Sequence, residues 1–400
     1  MRGTARNRLF LMPILSLWER DLQDKPLPAQ KAPATVADWS KDVPPPPVVS
    51  PPGPWNRRYL LLSLALIPLV ISLLSSSSER RLTERLAQSI AKLPAAQQVR
   101  IADGFSKHKL TLRGLLVMLP GRRVEGAHLS VDSSTHWLYA GAAAIFFFYL
   151  LMFAFPPNRA APRQVALIGL FTGTVGIILL IGFQLAAAVT QGVWLKGFGI
   201  GTILFYIVKF IGFSYAAALD PKSGFLLSCM GFTFGVGLCE EICKMLPLIR
   251  HFRYKATLDW RSACLLGLAS GVGFGISEGI TYASDYYNGV QSGEIYAVRF
   301  ISCVALHAIW SCAAAVTLVD RQEWLQTHCS TLEFIWRLLR IVAVPMVLHG
   351  LYDTLLKKEM RPLALVVAVV SFGYMVYQLE RRRRQEPSPE EPEIALAAAT

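Results

Sequence analysis

Residues Gly231 to Ile249 read GFTFGVGLCEEICKMLPLI. The composition is that of an apolar helix, yet the stretch carries two adjacent carboxylates, Glu240 and Glu241, and one lysine, Lys244. On insertion scales, an ionisable group at the centre of a membrane helix costs about 2.5 to 3.5 kcal/mol, so such groups usually face a partner or a functional cavity. The rest of the chain should therefore supply the groups that work with these three.

The composition predicts an all-α, polytopic transmembrane helical bundle. Hydrophobic residues make up 53% of the chain and the mean hydropathy is +0.40, which is high for a soluble protein. A membrane span needs about 20 apolar residues. About nine stretches approach that length: Tyr59–Ser75, Trp137–Phe155, Val165–Val189, Phe198–Leu219, Gly224–Ile249, Ala263–Ala283, Val298–Val319, Leu338–Leu356 and Leu363–Leu379.

Changes in composition divide the chain into successive segments. They are a disordered Pro-rich arm (1–58), the first span (59–75), a small polar extramembrane domain or loop (76–136), scaffold helices (137–219), a helical core with most of the intramembrane ionisable groups (220–357), the last span (362–379) and a charged tail (380–400). Within the polar segment, Ser78–Gln98 has helix-forming composition. Lys107–Asp132 alternates in a way that predicts short strands.

The net charge of +13 fits loop lysines and arginines that orient spans and contact anionic lipid. No basic motif interleaved with aromatic residues is present, which argues against a nucleic-acid partner. The distribution of basic residues among the short loops predicts that Ser284–Ala297 faces outward and that Ser76–His136 is cytoplasmic. The seven cysteines lie within or beside the later spans and do not form a disulfide framework; Cys239 and Cys243 are one turn apart, a spacing compatible with metal ligands or with packing.

A second candidate helix, Ala263–Ala283, carries glycines at every fourth position: Gly267, Gly271, Gly275 and Gly279. Such a stripe predicts very close contact with a neighbouring helix. Glu278 lies beside the stripe, so its carboxylate should face either the protein interior or a water-filled cavity.

The next two spans contribute histidines, His307 near the middle of one and His349 in the other, with Asp353 four residues after His349. A single buried histidine is usually a satisfied core residue, but two on neighbouring spans suit a metal or catalytic site. On the first helix, Glu240 and Lys244 share a face, whereas Glu241 points about 100° away and needs a partner of its own. Counted at about 1.5 Å per residue along alternating spans, the depths of these groups agree within a turn or two, which permits one shared cavity.

Together these residues resemble the PrsW family of intramembrane proteases and the wider superfamily that includes the CAAX prenyl proteases. The matching pieces are EEICK (Glu240–Lys244), FGISEGITYA (Phe274–Ala283), RFISCVALH (Arg299–His307) and HGLYD (His349–Asp353). Asp353 stands where relatives often carry asparagine. The resemblance covers about a third of the chain, from about Leu219 to Leu356.

The resemblance implies an intramembrane endopeptidase, metallo- or glutamate-type, whose catalytic core is 220–357. Glu240 would activate water with Glu241 assisting, and His307 would take part in catalysis. His307 and His349 would bind a divalent metal, zinc above all, or form an oxyanion site. Glu278 would complete the metal ligands, and Lys244 and Asp353 would bind or orient substrate. The implied partners are the lipid bilayer and a membrane-tethered or single-span protein, such as an anti-sigma factor, in a bacterial inner membrane.

Two other functions use the same sequence features. A proton-coupled transporter or channel would use the intramembrane Glu and His residues as a relay. A catalytically inactive scaffold would bind membrane partners through the glycine stripe.

Overall fold

The computed structural model describes residues 55–74, 82–107, 110–154, 162–254, 259–321, 323, 327 and 330–385. Most of the predicted Pro-rich arm, and the tail beyond residue 385, lie outside the described residues. Across the described ranges the regular structure is helical and includes no strand, which confirms the all-α class.

The helices have the following bounds: α1 Trp55–Leu64, α2 Ile67–Leu74, α3 Leu82–Ala91, α4 Ala95–Ser106, α5 Leu112–Met118, α6 His136–Ala154, α7 Pro162–Thr190, α8 Ile200–Leu219, α9 Phe225–His251, α10 Trp260–Tyr287, α11 Gly293–Val319, α12 Thr331–Lys357 and α13 Arg361–Arg384. Within the described chain, the eight helices α6 to α13 are long and apolar enough to cross a membrane. With the α1–α2 pair in place of the first predicted span, they are consistent with a bundle of about nine spans.

The first predicted span is broken between α1 and α2, just before Pro68. Proline has no N–H and crowds the preceding turn, so a helix often breaks there. The hydroxyl of Ser302 on α11 closes the gap: its Oγ donates to Ala65 O at 2.8 Å and accepts from Leu69 N at 3.0 Å. Backbone groups freed at membrane depth need such partners, so this serine ties the first span to the core.

The polar segment folds into a small helical domain, α3 to α5, around a buried apolar cluster that includes Ile101, Leu115 and Val124. The prediction of short strands within Lys107–Asp132 is wrong, because this region contains α5 instead. The Thr111 hydroxyl caps α5 by accepting from Gly114 N at 3.2 Å, a local signal for a helix start that the alternating pattern obscured.

The polar domain is bonded directly to the loop between α10 and α11. Val124 N donates to Gly289 O at 2.9 Å, Gly289 N donates to Leu129 O at 2.8 Å, and His128 N donates to Gln291 O at 2.8 Å. These two parts of the chain therefore lie on one side of the bundle, and the prediction that they face opposite sides of the membrane is wrong.

The error arises from assuming one alternating crossing for each helix between the polar domain and that loop. Residues 191–199 lie along the first half of α8 and extend the antiparallel contact of α7 with α8 that begins at Ala187 and Gly212, so alternation fails elsewhere among these helices. Gln191 Nε2 donates to Lys209 O at 3.0 Å, Lys209 Nζ donates to Val193 O at 2.6 Å, and the Tyr206 hydroxyl donates to Leu195 O at 2.8 Å. Strict alternation through α6 to α10 would separate two segments that are in hydrogen-bond contact.

The predicted close contact at the glycine stripe is confirmed, and it joins α10 to α11. A Cβ at Gly271 would overlap the carbonyl oxygen of His307, and one at Gly275 would lie 3.0 Å from Val304 Cα. A second close contact, between α9 and α12, was not predicted: a Cβ at Gly237 would lie 2.7 Å from Met346 O. These contacts join the four helices that carry the ionisable groups as two close pairs, α10 with α11 and α9 with α12.

Candidate active site

The three ionisable groups of α9 form one buried cluster. Lys244 Nζ lies 2.8 Å from Glu241 Oε1 and 3.5 Å from Glu240 Oε2. Residues three and four apart on a helix are neighbours, so one ammonium can serve both carboxylates. Glu241 and Lys244 are each 0% exposed and Glu240 is 4% exposed. The separate partner that the sequence required for Glu241 is His349, whose Nδ1 lies 3.1 Å from Glu241 Oε1.

His307 on α11 contacts this cluster through one ring nitrogen and a carboxylate through the other. Its Nδ1 lies 2.8 Å from Lys244 Nζ, and its Nε2 lies 2.7 Å from Glu278 Oε2 on α10. An ammonium can only donate and a carboxylate can only accept. The arrangement therefore fits an imidazole that carries its hydrogen on Nε2 and turns the Nδ1 lone pair toward Glu240 and Lys244.

His349 on α12 is held in a similar way. With Nδ1 against Glu241, its Nε2 faces Glu240 Oε2 at 3.7 Å and Asp353 Oδ2 at 3.5 Å. Each histidine thus has one nitrogen on a carboxylate and the other toward the centre of the cluster. Asp353 lies at the edge of the cluster, and 25% of its side chain is exposed.

The predicted groups come together as one site. Contacts of at most 3.9 Å link Glu278 to His307, His307 to Glu240 and Glu240 to His349. Glu278 and Asp353 are its most exposed members, and Glu278 lies toward the end of α10 that leads into the loop bonded to the polar domain. The cluster therefore opens toward that side of the bundle.

Trp310 is a site residue that the sequence interpretation missed. Its ring stacks on His349, with centroids 4.3 Å apart and planes 17° apart, and it meets His307 edge-on at 5.7 Å. Its Nε1 donates to Ser371 Oγ on α13 at 3.0 Å, so the last span helps to fix the ring. The available signal was its position three residues after His307 on the same helix.

Arg299 was also missed, although it begins one of the motifs. Its Nη2 lies 2.7 Å from Glu278 Oε2, and its Cζ lies 4.1 Å from the ring centroid of Tyr282. The Glu278 carboxylate is therefore placed between a guanidinium and an imidazole.

The donor set fits a divalent metal ion. Glu240, His307 and His349 each offer a ligand atom, and these atoms lie within 4.8 Å of one another. Two imidazoles and a carboxylate are a common ligand set of catalytic zinc, and histidine ligands usually place their other nitrogen on a carboxylate, as both do in this cluster. Lys244 Nζ lies against the same nitrogen of His307, so an ion held there requires the lysine to move. Glu278 is outside this group of three and contacts the opposite nitrogen of His307.

Residues 187–378 match the family model described as PrsW family intramembrane metalloprotease. The matched region contains all four helices of the cluster, which confirms the resemblance drawn from the sequence motifs. No curated protein and no solved structure matches the chain. The match supports a multi-pass membrane protease whose substrate is a membrane protein, and it does not favour the transporter or channel.

Proposed function

We propose that this chain, whose residues 187–378 match the model of the PrsW family of intramembrane metalloproteases, hydrolyses peptide bonds of membrane-tethered or single-span proteins, with Glu240 as the base. One observation carries the proposal: two carboxylates, two imidazoles and an ammonium from three helices converge in a buried cluster with one polar edge. A purely structural ion pair would need only Lys244 and one glutamate.

The contacts of the two glutamates separate their proposed roles. Glu241 Oε1 is engaged by Lys244 at 2.8 Å and by His349 at 3.1 Å, so Glu241 positions these two side chains. Glu240 Oε2 is held more loosely, with its nearest cluster contacts at 3.5 to 3.9 Å. A water between Glu240 and the imidazoles can therefore reach a carboxylate oxygen. Glu240 takes the proton of that water as it attacks the peptide carbonyl, and passes the proton to the leaving nitrogen as the C–N bond breaks.

The remaining residues bind and orient. His307 and His349 turn the lone pairs of their inner nitrogens toward the space beside Glu240, where they can accept hydrogen bonds from the attacking water. The scissile carbonyl oxygen would be placed beside Lys244. Asp353, at the exposed edge, orients His349 and meets the incoming peptide. Lys244 supplies positive charge next to the charge that develops on that oxygen.

If a metal ion is bound, Glu240, His307 and His349 would hold it, and we propose zinc; Glu240 would then be a ligand, and its role as the free base applies to the site without metal. The ion would supply Lewis-acid polarisation of the carbonyl and a more acidic bound water. Glu278 and Glu241, each on the outer nitrogen of a histidine, would orient these ligands.

We propose that cleavage takes place at the membrane edge nearest the polar domain, because the cluster opens there. A substrate of this kind could be an anti-sigma factor with one span, and the location would be a bacterial inner membrane. The apolar exterior of α6 to α8 supports contact with lipid, since large side chains such as Leu138, Tyr149 and Phe213 are exposed.

The test is cleavage of a co-expressed single-span substrate in cells that carry variants of the chain. Glu240→Gln and His307→Ala should abolish cleavage while the protein accumulates in membranes at the level of the unmodified chain. Glu333→Gln, which removes an exposed carboxylate near the start of α12, is the matched control and should cleave normally. Unchanged cleavage by both site variants would overturn the proposal.

A further inference from the structure

The side chain of Arg299 is buried among the transmembrane helices. It lies in a π-helical turn of α11, Val298–Cys303, about two turns before His307 on the same helix, and is only 8% exposed. A buried guanidinium is costly unless it is paired. Among the ion pairs of the described residues, its partner is Glu278, at 2.7 Å.

The surroundings fix the direction of this arginine. The guanidinium packs over the Tyr282 ring at 4.1 Å, a cation–π contact that restricts its plane. Tyr282 and Glu278 are one turn apart on α10, so a single helix face supplies both the stacking ring and the carboxylate. Within the described part of the chain neither Nε nor Nη2 of Arg299 meets hydrogen-bond geometry, so the close ion pair with Glu278 is the charged contact that holds the guanidinium.

Glu278 links this ion pair to the active site, because it contacts both Arg299 and His307. The same oxygen, Oε2, lies 2.7 Å from Arg299 Nη2 and 2.7 Å from His307 Nε2. A carboxylate held only by the imidazole would be free to rotate toward the exposed edge, because 15% of its side chain is open to solvent. With the guanidinium on the other side, the oxygen stays on Nε2 and the His307 lone pair stays directed at the cluster.

We propose that Arg299 is a positioning residue for the hydrolysis. It holds the Glu278 carboxylate on His307 Nε2 and so fixes the orientation and tautomer in which His307 Nδ1 faces Glu240. This inference rests on the proposed function, because it assigns to Arg299 an indirect role in the same site.

The experiment is a double-mutant cycle between Arg299 and Glu278 on the full-length protein, purified in detergent and assayed with a tethered peptide substrate. Arg299→Gln should lower kcat about 10- to 100-fold, the usual effect of removing such a supporting partner, with little change in KM. Arg299→Lys should recover part of the loss, because an ammonium keeps the charge but loses the planar fork. The double variant, Glu278→Gln with Arg299→Gln, should have a kcat no lower than that of Glu278→Gln alone, since Arg299 acts only through Glu278.

Arg337→Gln is the matched control. Like Arg299, Arg337 pairs with a glutamate; its partner is Glu333, near the start of α12. Loss of the Arg337 guanidinium should leave kcat unchanged. The melting temperature of every variant is measured as well. The double variant leaves neither charge unpaired, so it keeps the test valid if Arg299→Gln folds poorly.

Additive losses in kcat across the cycle would overturn the inference, and so would an unchanged kcat in Arg299→Gln. A raised KM with unchanged kcat would also overturn it, because Arg299 would then contact the substrate. The proposed function fails separately: it fails if Glu240→Gln cleaves normally, whatever the behaviour of Arg299.

Discussion

Trp310 lies flat on His349: the ring centroids are 4.3 Å apart and the planes are 17° from parallel. The indole is on α11, one turn after His307, and the imidazole is on α12, so the stack sets the position of one histidine-bearing helix against the other. Ser371 on α13 accepts the indole N–H, which prevents rotation of the ring.

We therefore expect Trp310→Leu to lower the rate of substrate cleavage about 10- to 100-fold, as is typical when a residue that orients a ligand or catalytic group is lost. Trp310→Phe should lose less, because a smaller ring can still stack. Initial cleavage rates and melting temperatures check this. Trp336→Leu, at an exposed tryptophan of α12, is the control and should be close to normal in both. Equal activity of Trp310→Leu and the control would contradict the role of the stack.

The glycine stripe gives a second prediction. Gly271→Ala should lower both the melting temperature and activity, because the new methyl group overlaps the carbonyl oxygen of His307 and forces α10 and α11 apart. Overpacking of this kind costs about 1 to 3 kcal/mol. Gly373→Ala on α13 meets no atom within 4 Å and should be neutral or slightly stabilising in the same assays. A normal melting temperature for Gly271→Ala would show that the two helices are not held this closely.

The break in the first span gives a third prediction. Ser302→Ala removes the hydroxyl that serves both Ala65 O and Leu69 N, and leaves two buried backbone groups without that partner. Leaving a buried donor or acceptor unsatisfied costs about 1 to 3 kcal/mol, so the free energy of unfolding should fall by this amount. Ser63→Ala should change little, because among the described residues the Ser63 hydroxyl bonds to Leu60 O on an exposed side of α1. Equal stability of the two variants would mean that Ser302 does not hold the first span.

Metal binding can be checked without an activity assay. We expect purified protein to bind about one zinc ion per chain by mass spectrometry, through the Glu240, His307 and His349 donors. Glu241→Gln and Glu278→Gln, which alter the carboxylates behind the two histidines, should weaken zinc binding about 10- to 100-fold. Cys239→Ser is the control, since Cys239 is outside the group of three. Full cleavage by protein stripped of metal would contradict a catalytic role for zinc.

Much of the site could be predicted from the sequence because its groups are rare where they occur. A Glu-Glu pair with a lysine, two histidines and a mid-helix glutamate are conspicuous in apolar helices, and the four-residue glycine spacing identifies the α10–α11 contact on its own. Helix composition likewise predicted all eight long spans, although α12 begins at Thr331 where the sequence predicted Leu338.

What the sequence left open depends on contacts between distant parts of the chain. Trp310 and Arg299 look like ordinary residues of an apolar helix until α12 and α10 are placed against them. The Ser302 contact with the first span joins residues more than 230 positions apart. The side of the polar domain was predicted wrongly because the helices from α6 to α10 do not all alternate. The contact that shows this joins Gly289 to Val124 and Leu129, and no count of apolar residues reports it.

The most direct test of the central claim is the initial rate of cleavage of a purified single-span substrate in proteoliposomes that contain either the unmodified chain or Glu240→Gln. We predict cleavage within or beside the span by the unmodified chain, and a rate at background for Glu240→Gln with equal incorporation. Cleavage by Glu240→Gln at the rate of the unmodified chain would contradict the account. So would an absence of cleavage by either protein together with an ion flux that depends on Glu240.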